Sequence, residues 1–280
     1  MQRRTVILPV VIASVAALLI SCTPGPAPLK PGTPGFYWVA AKEAHRSGNY
    51  VRTGENLARI TASENEYKQR AQVWLMVISS GIAGGLMEVA DTLEQGARYA
   101  RTNAPIFRRQ VTAARASANQ AAFQCAETFH AFLEGDKPAN LLLDFDYPAD
   151  AVTEPVQLSK IAKGIVLPAA EYELLEKAMI RRGVANAASR VSGAGQDHAK
   201  AAELFQGGNA EVPREVFVLG MAEALYNQSE LYKANKLDLP NRLKLMCDEA
   251  LGGLDTIPMT PDARKLKIRI QGTIQKIRLS

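Results

Sequence analysis

The chain has 280 residues, which is enough for one sizeable domain or two small ones. Its 33 Lys and Arg residues only slightly outnumber its 28 Asp and Glu residues, so the formal net charge is +5. An excess this small gives no reason to expect a nucleic-acid partner.

The first 21 residues have the pattern of an export signal. Arg3 and Arg4 provide a basic start, and residues 5–20 are uncharged and almost wholly apolar. This apolar run is short for a membrane-spanning helix, which needs about 20 residues. A signal peptide therefore accounts better for the segment.

The signal ends in Leu19-Ile20-Ser21-Cys22, which resembles the lipobox of bacterial lipoproteins. In that family the cysteine thiol receives diacylglycerol, a dedicated peptidase cuts before it, and the new amino terminus is usually acylated. The resemblance implies that residues 1–21 are removed and that lipid on Cys22 holds the protein on a membrane. The alternatives are an ordinary secretory signal or an anchor helix that contains a cysteine.

Residues 22–35 comprise Cys22 and a tether. The sequence TPGPAPLKPGTPG has five prolines and three glycines and predicts neither helix nor sheet. Extended, it would hold a folded domain up to about 40 Å from the bilayer. Thr23 stands where many Gram-negative lipoproteins retained at the inner membrane have aspartate. The resemblance therefore implies the outer membrane, with the domain facing the periplasm.

After removal of residues 1–21 the chain keeps 31 basic and 28 acidic side chains, a formal net charge of +3. Cys125 and Cys247 then remain in an oxidising compartment, where they would be able to form one disulfide. Both lie in apolar helical segments, where a free cysteine behaves as a small hydrophobic residue. We therefore expect two buried thiols, with the disulfide as the alternative.

Two short helices open the predicted domain, which covers residues 36–280. Segments 36–47 and 50–61 lie on either side of Gly48 and Asn49, which predict a turn. The aromatic start of the first segment is expected to pack within this hairpin.

Two long helices are predicted next. Ser63 and Glu66 have the spacing of a capping box, which predicts the start of the first one, and apolar residues recur every three or four positions up to Leu93. Glycines at positions 81, 84 and 85 interrupt it and indicate either a bend or the close approach of another helix. The second long helix starts after Asn103 and runs to Leu133.

Residues 139–168 break the helical pattern. Leu141, Leu143, Phe145 and Tyr147 lie at alternate positions, with Asp144 and Asp146 between the later ones, which is the period of a strand. We expect one long irregular connection with one short strand or a hairpin, where a sub-boundary of the domain would fall. Helices resume at 169–191, 197–206, 213–234, 240–254 and 261–278. The predicted fold class is all-α, built of antiparallel helical hairpins.

The first hairpin resembles a tetratricopeptide repeat, in which two helices meet at a G-x-Y turn. The resemblance is carried by Tyr37, Gly48, Tyr50 and Leu57. No clean 34-residue recurrence follows, so the domain is tetratricopeptide-like in part, over 36–61 and more loosely over 213–254. Helical-repeat lipoproteins of this general kind include assembly scaffolds and the T component associated with some periplasmic solute transporters.

The sequence has no catalytic or metal-binding motif that predicts an enzyme. Its histidines stand apart from one another and are expected on helix surfaces: His45, His130 and His198. Four carboxylates gather in one loop without the spacing of an EF-hand: Asp144, Asp146, Asp150 and Glu154. We interpret them as solvated loop charges, with a calcium site as the alternative. No catalytic residue, metal or cofactor is predicted.

The turn between the two long helices is the candidate binding site. Arg98, Arg101, Arg108 and Arg109 flank this arginine turn, and the guanidinium group suits bidentate capture of carboxylate or phosphate. The alternative is a solvated hairpin tip whose arginines pair with local acids such as Glu94.

Two functional classes follow from these features. The first is a non-catalytic scaffold or adaptor, tethered through Cys22, that binds a protein partner at the cell envelope. The second is an accessory lipoprotein of a periplasmic transport system that binds a small solute. A pocket with buried Arg or Asp would favour the second class, and a concave surface with exposed aromatic residues would favour the first.

Overall fold

The computed structural model describes residues 29–100, 102–148 and 155–277, so the signal segment, Cys22 and Arg101 lie outside the described residues. Within these ranges the chain forms ten α-helices and one two-stranded sheet, which confirms the predicted all-α class and its helical hairpins. The helices are α1 Pro34–Arg46, α2 Tyr50–Thr61, α3 Lys68–Tyr99, α4 Ala104–Glu134, α5 Val156–Ala162, α6 Ala169–Val191, α7 His198–Leu204, α8 Arg214–Ser229, α9 Pro240–Leu254 and α10 Pro261–Lys276. The strands are β1 Asn140–Leu143 and β2 Ala210–Pro213.

The sequence at the start of α1 explains why the fold begins earlier than predicted. The Thr33 hydroxyl caps the helix by accepting the backbone N–H of Phe36, and Pro34 occupies the first helical turn, where its missing N–H costs nothing. Helix α1 therefore includes Pro34 and Gly35, which the sequence assigned to the tether. A Cβ at Gly35 would be in ordinary contact with Tyr67, so the first turn of α1 already packs on the fold.

Helices α1 and α2 form the predicted hairpin. Gly48 has a φ of 75° at the turn, a conformation that a residue with a Cβ rarely adopts. The Asn49 side chain caps α2 by accepting the backbone N–H of Arg52. Tyr50 and Leu57 are buried, and this anchors the hairpin.

The turn before α3 differs from the predicted capping box. No side chain caps α3, which begins at Lys68. The Asn65 amide instead donates to the carbonyl oxygens of Ile60 and Ser63 and accepts a backbone N–H. The predicted box of Ser63 and Glu66 is wrong because the asparagine side chain organises a local turn in its place.

Helix α3 runs through the centre of the fold and packs against α2, α4, α5, α6 and α8. By length and composition alone it could cross a membrane, but 78% of its most apolar window is buried inside the fold, as expected of a central core helix. At its crossing with α6, a Cβ on Gly81 would lie 2.5 Å from Val184 Cα, and one on Gly85 would overlap Met179. A Cβ on Gly84 would have no atom within 4 Å. The two helices therefore approach each other closely at Gly81 and Gly85.

Strand β1 pairs antiparallel with β2, with Asn140 opposite Pro213 and Leu143 opposite Ala210. The predicted short strand is confirmed. Its partner lies some 70 residues further along the chain, where residues 210–213 precede α8, and α5 occupies part of the predicted irregular connection. Helices from both sides of that connection share one hydrophobic core.

Asp144 is buried, so its interpretation as a solvated loop charge is wrong. Its carboxylate is 4% exposed and lies 3.2 Å from Lys42 Nζ and 3.3 Å from Arg70 Nη1. These ion pairs fasten the chain after β1 to α1 and α3. Asp146 is exposed and pairs with Arg46 at 3.0 Å. The other two carboxylates of that group, Asp150 and Glu154, lie outside the described residues.

His45 is also buried, although the sequence placed it on a helix surface. Its ring packs edge-on against Tyr50, Trp74 and Phe145, and Nε2 donates to the carbonyl oxygen of Asp146 at 2.7 Å. Burial lowers the pKa of His45 to about 4. The uncharged ring is therefore part of the core.

Cys125 and Cys247 are both free and buried, as expected in preference to a disulfide. Burial raises the pKa of Cys125 to about 12 and that of Cys247 to about 11. Both are therefore thiols at neutral pH and pack as small apolar groups.

Candidate functional site

A groove of about 650 Å³ lies between α2 and α6, with α3 and α4 as its floor. Its volume exceeds the 560 Å³ of a second cavity beside α8 and α10. The residues that line this α2–α6 groove are Val51, Gly54, Glu55, Ala58 and Arg59 of α2, Ile82 and Leu86 of α3, Ser117, Gln120, Ala121 and Gln124 of α4, and Glu173, Glu176, Lys177 and Ile180 of α6.

The groove exists because small residues line it where the helices diverge. On one side α2 lies close to α3, since a Cβ at Gly54 would be 3.7 Å from Ile78. On the other side, the close approach at Gly81 and Gly85 holds α6 against α3. Between these contacts Ala58 and Ala121 leave space that larger side chains would fill. Val51 is 51% exposed at the edge, so apolar surface faces the solvent here.

The floor of the groove combines apolar Ile82, Leu86 and Ala121 with the polar side chains of α4, and its charged rim has three carboxylates and two cations. Glu173 accepts a hydrogen bond from Lys177 at 2.7 Å, and this contact lowers the pKa of Glu173. Glu176 is half-buried, and desolvation, aided by the neighbouring charge of Glu173, raises its pKa. Such a surface suits the binding of an amphipathic ligand.

The arginine turn lies at the far end of the α3–α4 hairpin from the start of α3. Arg98 is 75% exposed and lies 3.8 Å from Glu94, whose other oxygen is 2.5 Å from Arg115. Arg108 and Arg109 are exposed and make no ion pair with any described residue. Three of the four predicted site residues therefore present their side chains to solvent, and the fourth, Arg101, lies outside the described residues.

The arginine turn and the α2–α6 groove are separate surfaces, and both include residues of the α3–α4 hairpin. From Arg109 to Gln120 is 11 residues, or about 16 Å along α4. Eleven residues also make close to three full turns, so these two residues share a face of the helix. A partner that contacts both surfaces would have to extend along α4.

The histidines and carboxylates of the described residues are dispersed over the fold. In the ranges 29–100, 102–148 and 155–277 no group of three or more His, Cys, Asp or Glu residues could hold a metal ion. His130 is exposed beside Glu249, with Nδ1 3.2 Å from its carboxylate. His198 Nδ1 is 2.6 Å from the Tyr147 hydroxyl. The three histidines therefore occupy three different surroundings.

Two features would separate the functional classes: buried Arg or Asp in a pocket, and exposed aromatic residues on a concave surface. Neither lies in the α2–α6 groove. Buried Asp144 and the buried guanidinium groups of Arg115 and Arg214 do not line the α2–α6 groove. Among large aromatic side chains in the described part of the chain, Tyr99 is the strongly exposed one, and it lies beside the arginine turn. The groove itself is lined by aliphatic, uncharged polar and charged residues.

Comparison with protein-family models gives no match for this chain, and comparison with curated proteins gives none either.

Proposed function

We propose that the chain is a membrane-tethered, non-catalytic adaptor lipoprotein that binds a protein partner at the cell envelope. The α2–α6 groove carries the proposal, because a partly apolar floor open to solvent between two helices is the shape that receives a partner helix. The partner is a protein and not a nucleic acid, in keeping with the nearly balanced charge.

The anchor in this proposal is lipid on Cys22, and its support is the lipobox-like sequence before that residue. In a bacterial host the wild-type protein should fractionate with membranes and incorporate labelled palmitate. Cys22→Ser should abolish both. If the variant keeps label and membrane association, the anchor is wrong. Density separation of the two membranes tests the outer-membrane placement that Thr23 implies.

Two valines offer a matched test of docking in the groove. Val51 lines the groove and is 51% exposed, whereas Val39 on α1 is 52% exposed and lies outside it. Arginine at either position should be tolerated, since both sites are exposed helix positions. Proteins captured from detergent-solubilised membranes by the wild type and by Val39→Arg should be lost with Val51→Arg. Equal capture by both variants would exclude the groove.

The arginine turn is the second contact in the proposal and is tested separately. Replacing Arg98, Arg101, Arg108 and Arg109 by alanine should leave the helical circular dichroism spectrum unchanged, because the described side chains are solvated. Capture of the same proteins should weaken. A four-lysine variant keeps the charge but loses bidentate geometry, so it separates the two contributions. Unchanged capture by the alanine variant would remove the turn from the interface.

A second candidate function is binding of a small solute as an accessory of a transport system. The volume of about 650 Å³ favours it, because ligand pockets are commonly about 300–1,000 Å³. Native mass spectrometry of the protein purified from its membrane would detect a bound small molecule. Its presence in the wild type and absence from Val51→Arg would favour this function over the adaptor.

A further inference from the structure

The cations at the rim of the α2–α6 groove are already engaged. Arg59 follows Glu55 by one helical turn and would be its ordinary partner. The Arg59 guanidinium instead lies over the Tyr37 ring, 5.1 Å from its centre. Lys177 donates to Glu173 at 2.7 Å. In this arrangement neither cation forms an ion pair with Glu55 or Glu176.

Two carboxylates in the groove consequently lack a partner. Glu55 and Glu176 have no hydrogen bond or ion pair with any residue in the described ranges. They come from α2 and α6, the two walls of the groove, and apolar residues such as Ile82 and Leu86 lie between them. Half-buried Glu176 is the more desolvated of the two, since Glu55 is exposed. An unpaired carboxylate beside apolar surface complements a cation on an apolar body.

The dimensions of the groove limit the occupant to a short segment. Its lining extends from Val51 to Arg59 on α2, about 12 Å of helix, and from Glu173 to Ile180 on α6, about 10 Å. Two turns of a helix have this length. Apolar side chains spaced at i, i+3 and i+4 would reach the floor from such a segment.

We propose that the partner segment that binds in the α2–α6 groove is a basic amphipathic helix. Its apolar side chains lie on the floor, and Lys or Arg side chains on its flanks pair with Glu55 and Glu176. This inference rests on the proposed adaptor function and names the chemistry of the partner.

The probe is a fluorescein-labelled 14-residue peptide of Leu and Lys with the apolar spacing of an amphipathic helix. The full chain is held in phosphatidylcholine nanodiscs, and empty nanodiscs give the background. The test variant is Glu55→Gln with Glu176→Gln. Its control is Glu43→Gln with Glu203→Gln, which removes the same charge from two exposed carboxylates outside the groove.

The Leu/Lys peptide should bind, and the groove variant should weaken binding about twofold to thirtyfold, the effect of two partly exposed ion pairs. The control variant should bind as the wild type does, and a matching Leu/Glu peptide should bind more weakly. The inference is overturned by absent Leu/Lys binding, by equal affinity in the groove variant, or by equal binding of the Leu/Glu peptide. It is also overturned if the chain self-associates and Val51→Arg abolishes that association, because the occupant is then a second copy. If one of the three peptide results overturns the inference, loss of membrane-protein capture with Val51→Arg would still support the proposed adaptor function.

Discussion

Adding one methyl group at the crossing of α3 and α6 tests the packing that shapes the groove. Gly81 and Gly84 lie one turn apart on α3, but only Gly81 faces α6. A Cβ at Gly81 would be 2.5 Å from Val184 Cα and 2.6 Å from Val184 N, whereas a Cβ at Gly84 would meet nothing within 4 Å. Gly81→Ala and Gly84→Ala are therefore the same chemical change in opposite surroundings.

The magnitudes follow from helix propensity and overpacking. Alanine in a helix interior is favoured over glycine by about 0.5–1 kcal/mol, so Gly84→Ala should stabilise by that amount. Gly81→Ala has the same gain, but the clashing atoms are backbone, and the crossing must open by about 1 Å to restore ordinary contact. Overpacking of this kind costs about 1–3 kcal/mol or more. Because the helix gain is common to both, the two variants should differ by about 1–3 kcal/mol or more.

Urea unfolding followed by helical circular dichroism measures this difference, and a constant m-value shows that the two variants unfold comparably. A loss of 2 kcal/mol would lower the melting temperature by about 4–8 °C in a domain of this size. If Gly81→Ala is as stable as Gly84→Ala, the two helices separate at no cost. The explanation of the groove from this crossing would then fail.

Three further predictions concern buried polar groups. Asp144→Asn should destabilise by about 1–3 kcal/mol in urea, because its two cationic partners lose their carboxylate, and a neutral result would mean that the pairs contribute nothing. Because the pKa of His45 falls from 6.5 to about 4 on folding, the unfolded chain binds more protons between these values, and stability should fall by up to about 3 kcal/mol as pH is lowered through this window. His45→Gln should reduce the dependence of stability on pH in this window, and His130→Gln should not. Equal slopes in the two variants would refute the assignment of this dependence to His45. Cys125 and Cys247 should resist a thiol reagent in the native protein and both react in denaturant without reductant, whereas two unreactive cysteines in denaturant would indicate a disulfide.

The helices were predictable because their apolar residues repeat at the helical period and their ends carry turn chemistry. Gly48 with Asn49, and the prolines at 168, 240 and 261, place helix boundaries within a residue or two of those observed. β2 was not predictable. Four residues are too few to show a period, and the strand is defined by its pairing with β1, some 70 residues earlier in the chain. The turn at Asn65 was not predicted, because Ser63 and Asn65 can both accept a backbone N–H before α3 and the sequence does not show which of them does.

The candidate site was less accessible to sequence reasoning than the fold. The exposed positions of Arg98, Arg108 and Arg109 follow from their place beside a turn. The groove, by contrast, is built from four helices, and no local pattern reports the space between them. Small residues such as Ala58 and Ala121 were its only signal, and small residues also occur in tightly packed cores. The burial of Asp144 was hidden because its cationic partners lie on α1 and α3, distant in sequence.

The start of α1 at Pro34, capped by Thr33, sets what the anchored domain can reach. Eleven residue steps separate Cys22 from Thr33, and even a fully stretched chain covers only about 40 Å over that distance. With lipid on Cys22, the domain would search for its partner by lateral diffusion in two dimensions, at a local concentration set by the membrane area. Proteins embedded in the same bilayer, or bound to its surface, would then be within reach.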